Sequence, residues 1–128
     1  EGEETARTDG GTFQVYRILR NWVQAEATWT IYSTGNNWGT LGALGAEDID
    51  TGVVWGTCAF TATQVDGDEK TFDLNIVEMQ KMVDGTYTNY GFLLKNDTMA
   101  NDAYNLHSSN AIAANHYKMP RLLIWYTF

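Results

Sequence analysis

The feature that most constrains the fold is a segment near the start of the chain with apolar side chains on both faces of a strand. In residues 13–20, Phe13 and Val15 would lie on one face, and Tyr16 and Ile18 on the other. Alternation with a period of two is typical of a β-strand. Because a strand at the surface carries polar residues on its solvent side, apolar residues on both faces predict a strand that is covered on both sides.

The end of the sequence shows the same pattern. Over residues 121–128, Leu122 and Ile124 alternate with Leu123 and Trp125. This pattern predicts a second central strand, in a sheet that is buried on both faces.

Further segments between these two are rich in threonine and aromatic residues, which favour half-buried strands. We predict extended structure for residues 27–32, 53–63, 70–74, 90–95 and 102–108. Between the first two of these, residues 33–52 are predicted to form a long loop that contains glycines and acidic residues. Loops of this length are uncommon unless they have a function or pack against something.

One helix is predicted after residue 75. Asn75 is a suitable N-cap, Glu78 stands three residues later as its capping-box partner, and Gly85 follows the last turn. The apolar residues of this segment are expected to dock the helix onto the sheet: Ile76, Val77, Met79, Met82 and Val83.

Several strands and one short helix predict a mainly β fold, a jelly-roll-like β-sandwich. The length of 128 residues fits one domain. We expect residues 1–12 to be a flexible acidic lead-in and residues 13–128 to form a single β-sandwich domain.

The formal net charge of −8 argues against a nucleic-acid-binding role, because neutralising phosphates requires a basic surface. No stretch of about 20 apolar residues could span a membrane, and residues 1–11 do not resemble a signal peptide. Cys58 is the only cysteine and lies in an apolar run, so we expect an inert buried thiol.

Two acidic clusters could be read as calcium sites. They are Glu47, Asp48 and Asp50, and Asp66, Asp68 and Glu69. Neither follows the spacing of a calcium-binding loop, so solvated turns are the preferred interpretation and calcium the alternative. No catalytic or metal site is predicted, and His107 with its two neighbouring serines is not expected to form a triad, because adjacent residues on a strand point to opposite faces.

Three aromatic residues are the candidate ligand-binding residues. Trp38 lies in a polar, glycine-containing loop where an exposed ring could stack on a sugar or a partner, and Tyr87 and Tyr90 form a weaker candidate pair. Trp22 and Trp29 are expected to pack in the core instead, since indole rings bury a large area.

The sequence also resembles a known family. The matching segments, in the family's order, are residues 15–22 (VYRILRNW), 27–29 (ATW), 35–43 (GNNWGTLGA), 71–74 (TFDL), 84–95 (DGTYTNYGFLLK) and 119–122 (MPRL). This ordered set resembles the DNRLRE domain family. The resemblance implies a jelly-roll-like β-sandwich of the kind found in secreted, cell-surface and phage structural proteins, non-catalytic as a class and in some members binding acidic polysaccharide.

The chain departs from that family in two ways. Gln24 stands where the family usually has an acidic residue, and the family's opening strands would precede Glu1. A sandwich without its first strands has unpaired backbone groups along a sheet edge. We therefore expect other protein subunits, or an upstream part of the same chain, to supply the missing strands.

These observations together predict a non-catalytic, extracellular structural or adhesion module on a virion (a phage head or tail surface) or a surface appendage, working through protein–protein assembly with glycan contact as a further option. The alternative is a carbohydrate-binding module of a secreted polysaccharide-degrading enzyme. Because the chain is acidic, a neutral glycan or a protein is the expected partner unless Arg17, Arg20 and Arg121 form a basic patch. No cofactor and no membrane insertion are expected.

Overall fold

A computed structural model describes residues 10–61, 68–96 and 120–125 of the chain. The described residues are mainly β, with antiparallel sheets and one short α-helix, which confirms the predicted fold class and fits a small β-sandwich-like domain. The elements in chain order are β1 (Gly11–Arg17), β2 (Ile31–Ser33), β3 (Asn36–Asn37), a 3-10 turn (Leu41–Ala43), β4 (Gly56–Phe60), α1 (Ile76–Val83) and β5 (Phe92–Asn96).

Strand β1 is the central strand of a three-stranded antiparallel sheet of order β4-β1-β5. Val15 pairs with Gly56 on one side and with Leu94 on the other. Both Val15 and Tyr16 are buried, although neighbouring residues of a strand point to opposite faces. The prediction of a strand covered on both faces is confirmed here, and the strand begins at Gly11, earlier than the sequence pattern suggested.

The predicted strand at residues 27–32 is shorter in the structure. The Thr28 hydroxyl oxygen accepts the backbone N–H groups of Thr30 and Ile31, both at 3.2 Å. A turn closed by a side-chain hydroxyl uses backbone N–H groups that a strand would pair with its neighbour. Strand β2 therefore starts only at Ile31. It pairs with β3 in a two-stranded hairpin, with the positive φ of Gly35 (78°) at the turn. The predicted loop at residues 33–52 therefore contains regular structure.

The ends of helix α1 are as predicted, but the residues that it buries are only partly so. The Asn75 side chain accepts the N–H groups of Val77 and Glu78, and Gly85 has a φ of 81° after the last turn. The Asn75 N–H, however, donates to the Trp55 carbonyl at 2.6 Å, so the Glu78 carboxylate is not needed as its capping-box acceptor.

The predicted docking face of α1 is correct only in part, since Met79 and Met82 are half-buried and the other three apolar residues are exposed. Ile76, Val77 and Val83 are 78%, 61% and 63% exposed, whereas Glu78 is buried. Glu78 accepts a hydrogen bond from the Lys81 ammonium at 2.8 Å. The second carboxylate oxygen, Oε2, is buried without a hydrogen-bond partner. The inward side of the helix thus carries this ion pair, and three apolar side chains lie on the outer face.

The predicted central strand at residues 121–128 is wrong for the part that the structure describes. Residues 120–125 carry no strand, and Leu122, Leu123, Ile124 and Trp125 are 53–90% exposed. Alternating apolar residues show only that a segment could form a strand. A central strand also needs a hydrogen-bonded neighbouring strand on each side. Residues 70–74 are likewise described without a strand, and the predicted strand at 102–108 and the lead-in at 1–9 lie outside the described residues.

Two small apolar clusters lie against the central sheet. Tyr16, Ile18 and Ile49 form one, and Tyr90 and Leu93 pack against it. Trp55, which is only 1% exposed, forms the second cluster with the rings of Phe92 and Tyr87, which pack against it at tilted angles. Cys58, expected to be buried, is half-buried in β4, the strand at one edge of the described sheet.

Candidate functional site

A buried carboxylate organises the loop that follows β3. Asp48 has no exposed surface. Its oxygens accept the backbone N–H groups of Gly39 and Thr40, each at 2.9 Å, and the Nε–H of Arg20 at 3.3 Å. These bonds fix the residues that lead into the 3-10 turn and tie them to the end of β1.

Burial by itself raises the pKa of Asp48, because it disfavours the charged form. The hydrogen bonds from Gly39, Thr40, Arg20 and Gly45 outweigh that effect and hold the pKa below its ordinary value of 3.8. Asp48 is therefore an ionised structural group at neutral pH. Its lone pairs are directed to protein donors, which argues against the alternative of a calcium ligand.

The arginines do not form a basic patch. Arg17 pairs with Asp50 at 3.1 Å, Arg20 with Asp48 at 3.3 Å, and Arg121 with Glu69 at 3.1 Å. Each guanidinium lies against a carboxylate, so the positive charge that could attract an acidic polymer is neutralised locally. The carboxylates of the first acidic cluster are the partners of Arg17 and Arg20. Among residues 10–61, 68–96 and 120–125, no group of three potential metal ligands is found.

Trp38, the leading candidate from the sequence, is half-buried. Its Nε1–H donates to the Thr28 carbonyl at 2.9 Å, and its ring centroid lies 5.5 Å from that of Tyr32. With Trp22, it lines a narrow apolar groove of about 210 Å³. The ring therefore has fixed neighbours, and its role in ligand binding stays a prediction.

The two tyrosine candidates lie in different surroundings. Tyr90 packs against the core cluster, and its carbonyl accepts the Nε1–H of Trp22 at 2.7 Å, beside the groove of Trp38. The Arg17 guanidinium lies 4.0 Å from the centre of the Tyr87 ring, and the Lys81 ammonium lies 3.4 Å from its hydroxyl oxygen. The structure thus places Tyr90 near Trp38 and puts Tyr87 in the packing beneath α1.

Trp22 and Trp29 were both expected in the core, and both are exposed. Trp22 is 36% exposed, with its Nε1–H bound to the Tyr90 carbonyl. Trp29 departs further from the prediction, since it is 64% exposed. Its six-membered ring covers the Cα of Gly42, where a Cβ would overlap ring atoms Cη2 and Cζ3, and its carbonyl accepts the Gly42 N–H at 2.7 Å. Gly42 has a positive φ of 75°, which favours glycine. The sequence shows this glycine, but it does not show that Trp29 packs on it.

Beside Trp29 lies an open cavity that is larger than the groove of Trp38. Its volume is about 420 Å³, and it combines aliphatic with polar walls. The lining residues that matter here are Leu44, Leu93, Leu94, Lys95 and Asn96. Leu93 also lines the smaller groove, so the two cavities adjoin across one β5 side chain.

His107 and its serines lie outside the described residues, as does Asp66 of the second acidic cluster. In the part of the chain that the structure describes, no helix is long and apolar enough to cross a membrane.

Comparison with known proteins corrects the family suggested by the sequence. The match is to the disaggregatase related repeat domain, over residues 2–124, and not to the DNRLRE domain. No curated protein and no solved structure matches the chain. On the extent of the family match, the chain belongs to the disaggregatase related repeat family.

Proposed function

We propose that this chain is a non-catalytic module that assembles with a second copy of the same kind of module, through the outer face of α1. The observation that carries the proposal is the exposure of three apolar side chains on that helix. Ile76, Val77 and Val83 are exposed, while Glu78 is buried. An amphipathic helix of an isolated domain turns its apolar face to its own core.

The three exposed apolar residues lie on one side of the helix, with the polar Gln80 between them. Ile76 and Val83 are two turns apart along that side, and Val77 adjoins Ile76. The inner side is occupied by the Glu78–Lys81 ion pair, and Lys81 also contacts the Tyr87 hydroxyl. Rotating the helix to bury Ile76 would break these contacts, so the outer face is available for a partner.

The family description supports a partner of the same type. A repeat domain occurs alongside further copies, and each copy of a repeat array buries an apolar face against its neighbour. The arginine–carboxylate pairs of Asp48 and Asp50 support a binding role over a catalytic one, because these acids already have partners. Display outside a cell, on a virion or on a surface appendage stays a prediction.

Sedimentation equilibrium over a range of protein concentrations tests this proposal. The unmodified chain is expected to self-associate, and a variant with Ile76→Asp and Val77→Asp is expected to associate at least about tenfold more weakly, because two charges would be buried at the interface. Leu41→Asp is the matched control, since Leu41 is an exposed apolar residue (54%) outside the helix. A chain that stays monomeric at every concentration, or equal association of all three proteins, would contradict the proposal.

A further inference from the structure

We infer that the surface formed by Trp29 and the adjoining cavity is a binding site for a pyranose ring of a neutral glycan. This inference does not depend on assembly through α1. It concerns a different part of the molecule, on the 3-10 turn and β5, and it assigns Trp29 instead of the half-buried Trp38 as the stacking residue.

Trp29 is exposed but held in place. An indole ring that is 64% exposed is usually free to rotate, and ordering it on ligand binding costs conformational entropy. Here the Gly42 backbone lies directly under the ring, and the Gly42 N–H donates to the Trp29 carbonyl at 2.7 Å. One ring face is therefore covered by glycine, and the site is organised before any ligand arrives.

The size and chemistry of the cavity also support the inference. Its volume of about 420 Å³ falls within the range of small-molecule sites, roughly 300–1,000 Å³, whereas the neighbouring groove of about 210 Å³ does not. Leu44 and Leu93 provide apolar walls, and Lys95 and Asn96 provide polar groups at the same opening. A ligand that fits needs an apolar face and a polar edge.

A pyranose ring has that combination. Its axial C–H groups carry slight positive charge and stack on the negative face of an indole ring, while its hydroxyl groups need donors and acceptors at the edge. A proline-rich peptide also stacks on tryptophan, but it docks in grooves lined by several aromatic rings. Trp29 is the one aromatic residue among those that line this cavity.

Charge selects among glycans. The chain carries a net charge of −8, and the arginines of the described residues lie against carboxylates, so an anionic polymer is repelled at long range. The single lysine at the cavity rim, Lys95, does not reverse this balance. A neutral hexose-containing glycan is the ligand class that the site fits.

The experiment is titration calorimetry of the chain with neutral hexasaccharides of glucose, mannose and galactose, and with anionic hexasaccharides of galacturonate. We expect binding to at least one neutral hexasaccharide and weaker binding to the anionic ones. Trp29→Ala should weaken the neutral complex by about tenfold or more, since truncating a central stacking residue removes a dominant contact. Trp125→Ala is the matched control, because Trp125 is 90% exposed and lines neither cavity.

A second variant separates the position of the ring from its presence. Gly42→Ala keeps the indole but places a methyl group where Cη2 and Cζ3 now lie, so it should weaken binding although Trp29 is intact. Gly35→Ala is its control, because Gly35 has a nearly identical φ of 78° but open space around the position of a Cβ. We expect Gly35→Ala to leave the affinity unchanged.

Several results would overturn the inference. They are the absence of binding to every neutral hexasaccharide, binding that survives Trp29→Ala, and equal effects of the Gly42 and Gly35 variants. A proline-rich peptide that binds in a Trp29-dependent manner, or self-association that is lost in Trp29→Ala, would assign the surface to a peptide or to a second copy of the chain. The variant with Ile76→Asp and Val77→Asp is expected to bind glycan normally, so failure of self-association is distinguishable from failure of this site.

Discussion

Two tryptophans of this domain differ widely in burial, although backbone hydrogen bonds hold both. Trp55 is 1% exposed, and its backbone N–H donates to the Val15 carbonyl at 2.8 Å. Trp29 is 64% exposed and covers Gly42. Burial removes apolar area from water and stabilises the fold, whereas a fixed but exposed ring contributes little to folding and retains an interaction surface.

The comparison teaches that local order and stability have separate causes here. The Trp55 region is ordered by packing, with the Phe92 ring 5.4 Å away and the sheet beside it. The Trp29 region is ordered by hydrogen bonds and by a glycine, through the loop that Asp48 holds at Gly39 and Thr40. Substitutions in the first region should act on folding, and those in the second on recognition.

The largest effect is expected for Trp55→Ala. Removing a fully buried aromatic side chain should lower the free energy of unfolding by about 3–5 kcal/mol. Urea denaturation followed by circular dichroism measures this loss. Trp55→Phe should cost less, because it keeps a ring against Phe92. A loss of stability in Trp55→Ala that is smaller than the loss in Trp29→Ala would contradict the comparison.

Asp48→Asn should have the next largest effect, about 2–3 kcal/mol, because the carboxylate accepts several hydrogen bonds, one of them from a charged group. An amide cannot accept on both sides, so its NH₂ group would face a donor, either the Thr40 N–H or Arg20. Urea denaturation measures the loss. An Asn variant as stable as the unmodified chain would show that this carboxylate does not hold the loop.

The pH dependence of stability offers an independent check on Asp48. Its pKa is lowered in the folded state, so its contribution is fully present above the unfolded value of about 3.8 and is lost as the pH falls from there through the folded pKa. The unmodified chain should lose stability in that acid range. Asp48→Asn should show a smaller loss over the same range, and an identical acid titration of both proteins would contradict the assignment.

Gly42→Ala should destabilise by about 2 kcal/mol, from the strain of a positive φ and from displacement of the Trp29 ring. Gly35→Ala shares the backbone strain without the displacement and should cost about 1 kcal/mol. Thermal denaturation of the two variants side by side gives the difference. Equal midpoints would indicate that the Trp29 ring is not held by Gly42.

The smallest effect on stability is expected for Trp29→Ala, within about 0.5 kcal/mol, since most of the ring is already in water. Thermal denaturation should give nearly the same midpoint as for the unmodified chain. A loss comparable to that of Trp55→Ala would remove the contrast between the two tryptophans.

Part of this structure was predictable from the sequence because its signals are local. The alternation around Val15 correctly predicted a strand covered on both faces, and Asn75 and Gly85 correctly predicted the ends of α1. A capping hydrogen bond spans only two or three residues, so the sequence alone contains both partners.

The candidate site was less predictable, since its residues are brought together over long separations. Nothing near Trp29 indicates exposure, because its support comes from the turn at Gly42 and its cavity from β5. Trp38 has the more open sequence context but is half-buried against Tyr32.

The amino-acid sequence by itself determined that this chain is mainly β, that β1 is central, and that one capped helix interrupts the strands. Only the tertiary structure decided which face that helix presents, and which tryptophans are exposed. The physical reason is that periodicity and capping depend on near neighbours, whereas side-chain burial depends on contacts such as the Asn75 N–H with the Trp55 carbonyl, which join distant parts of the chain.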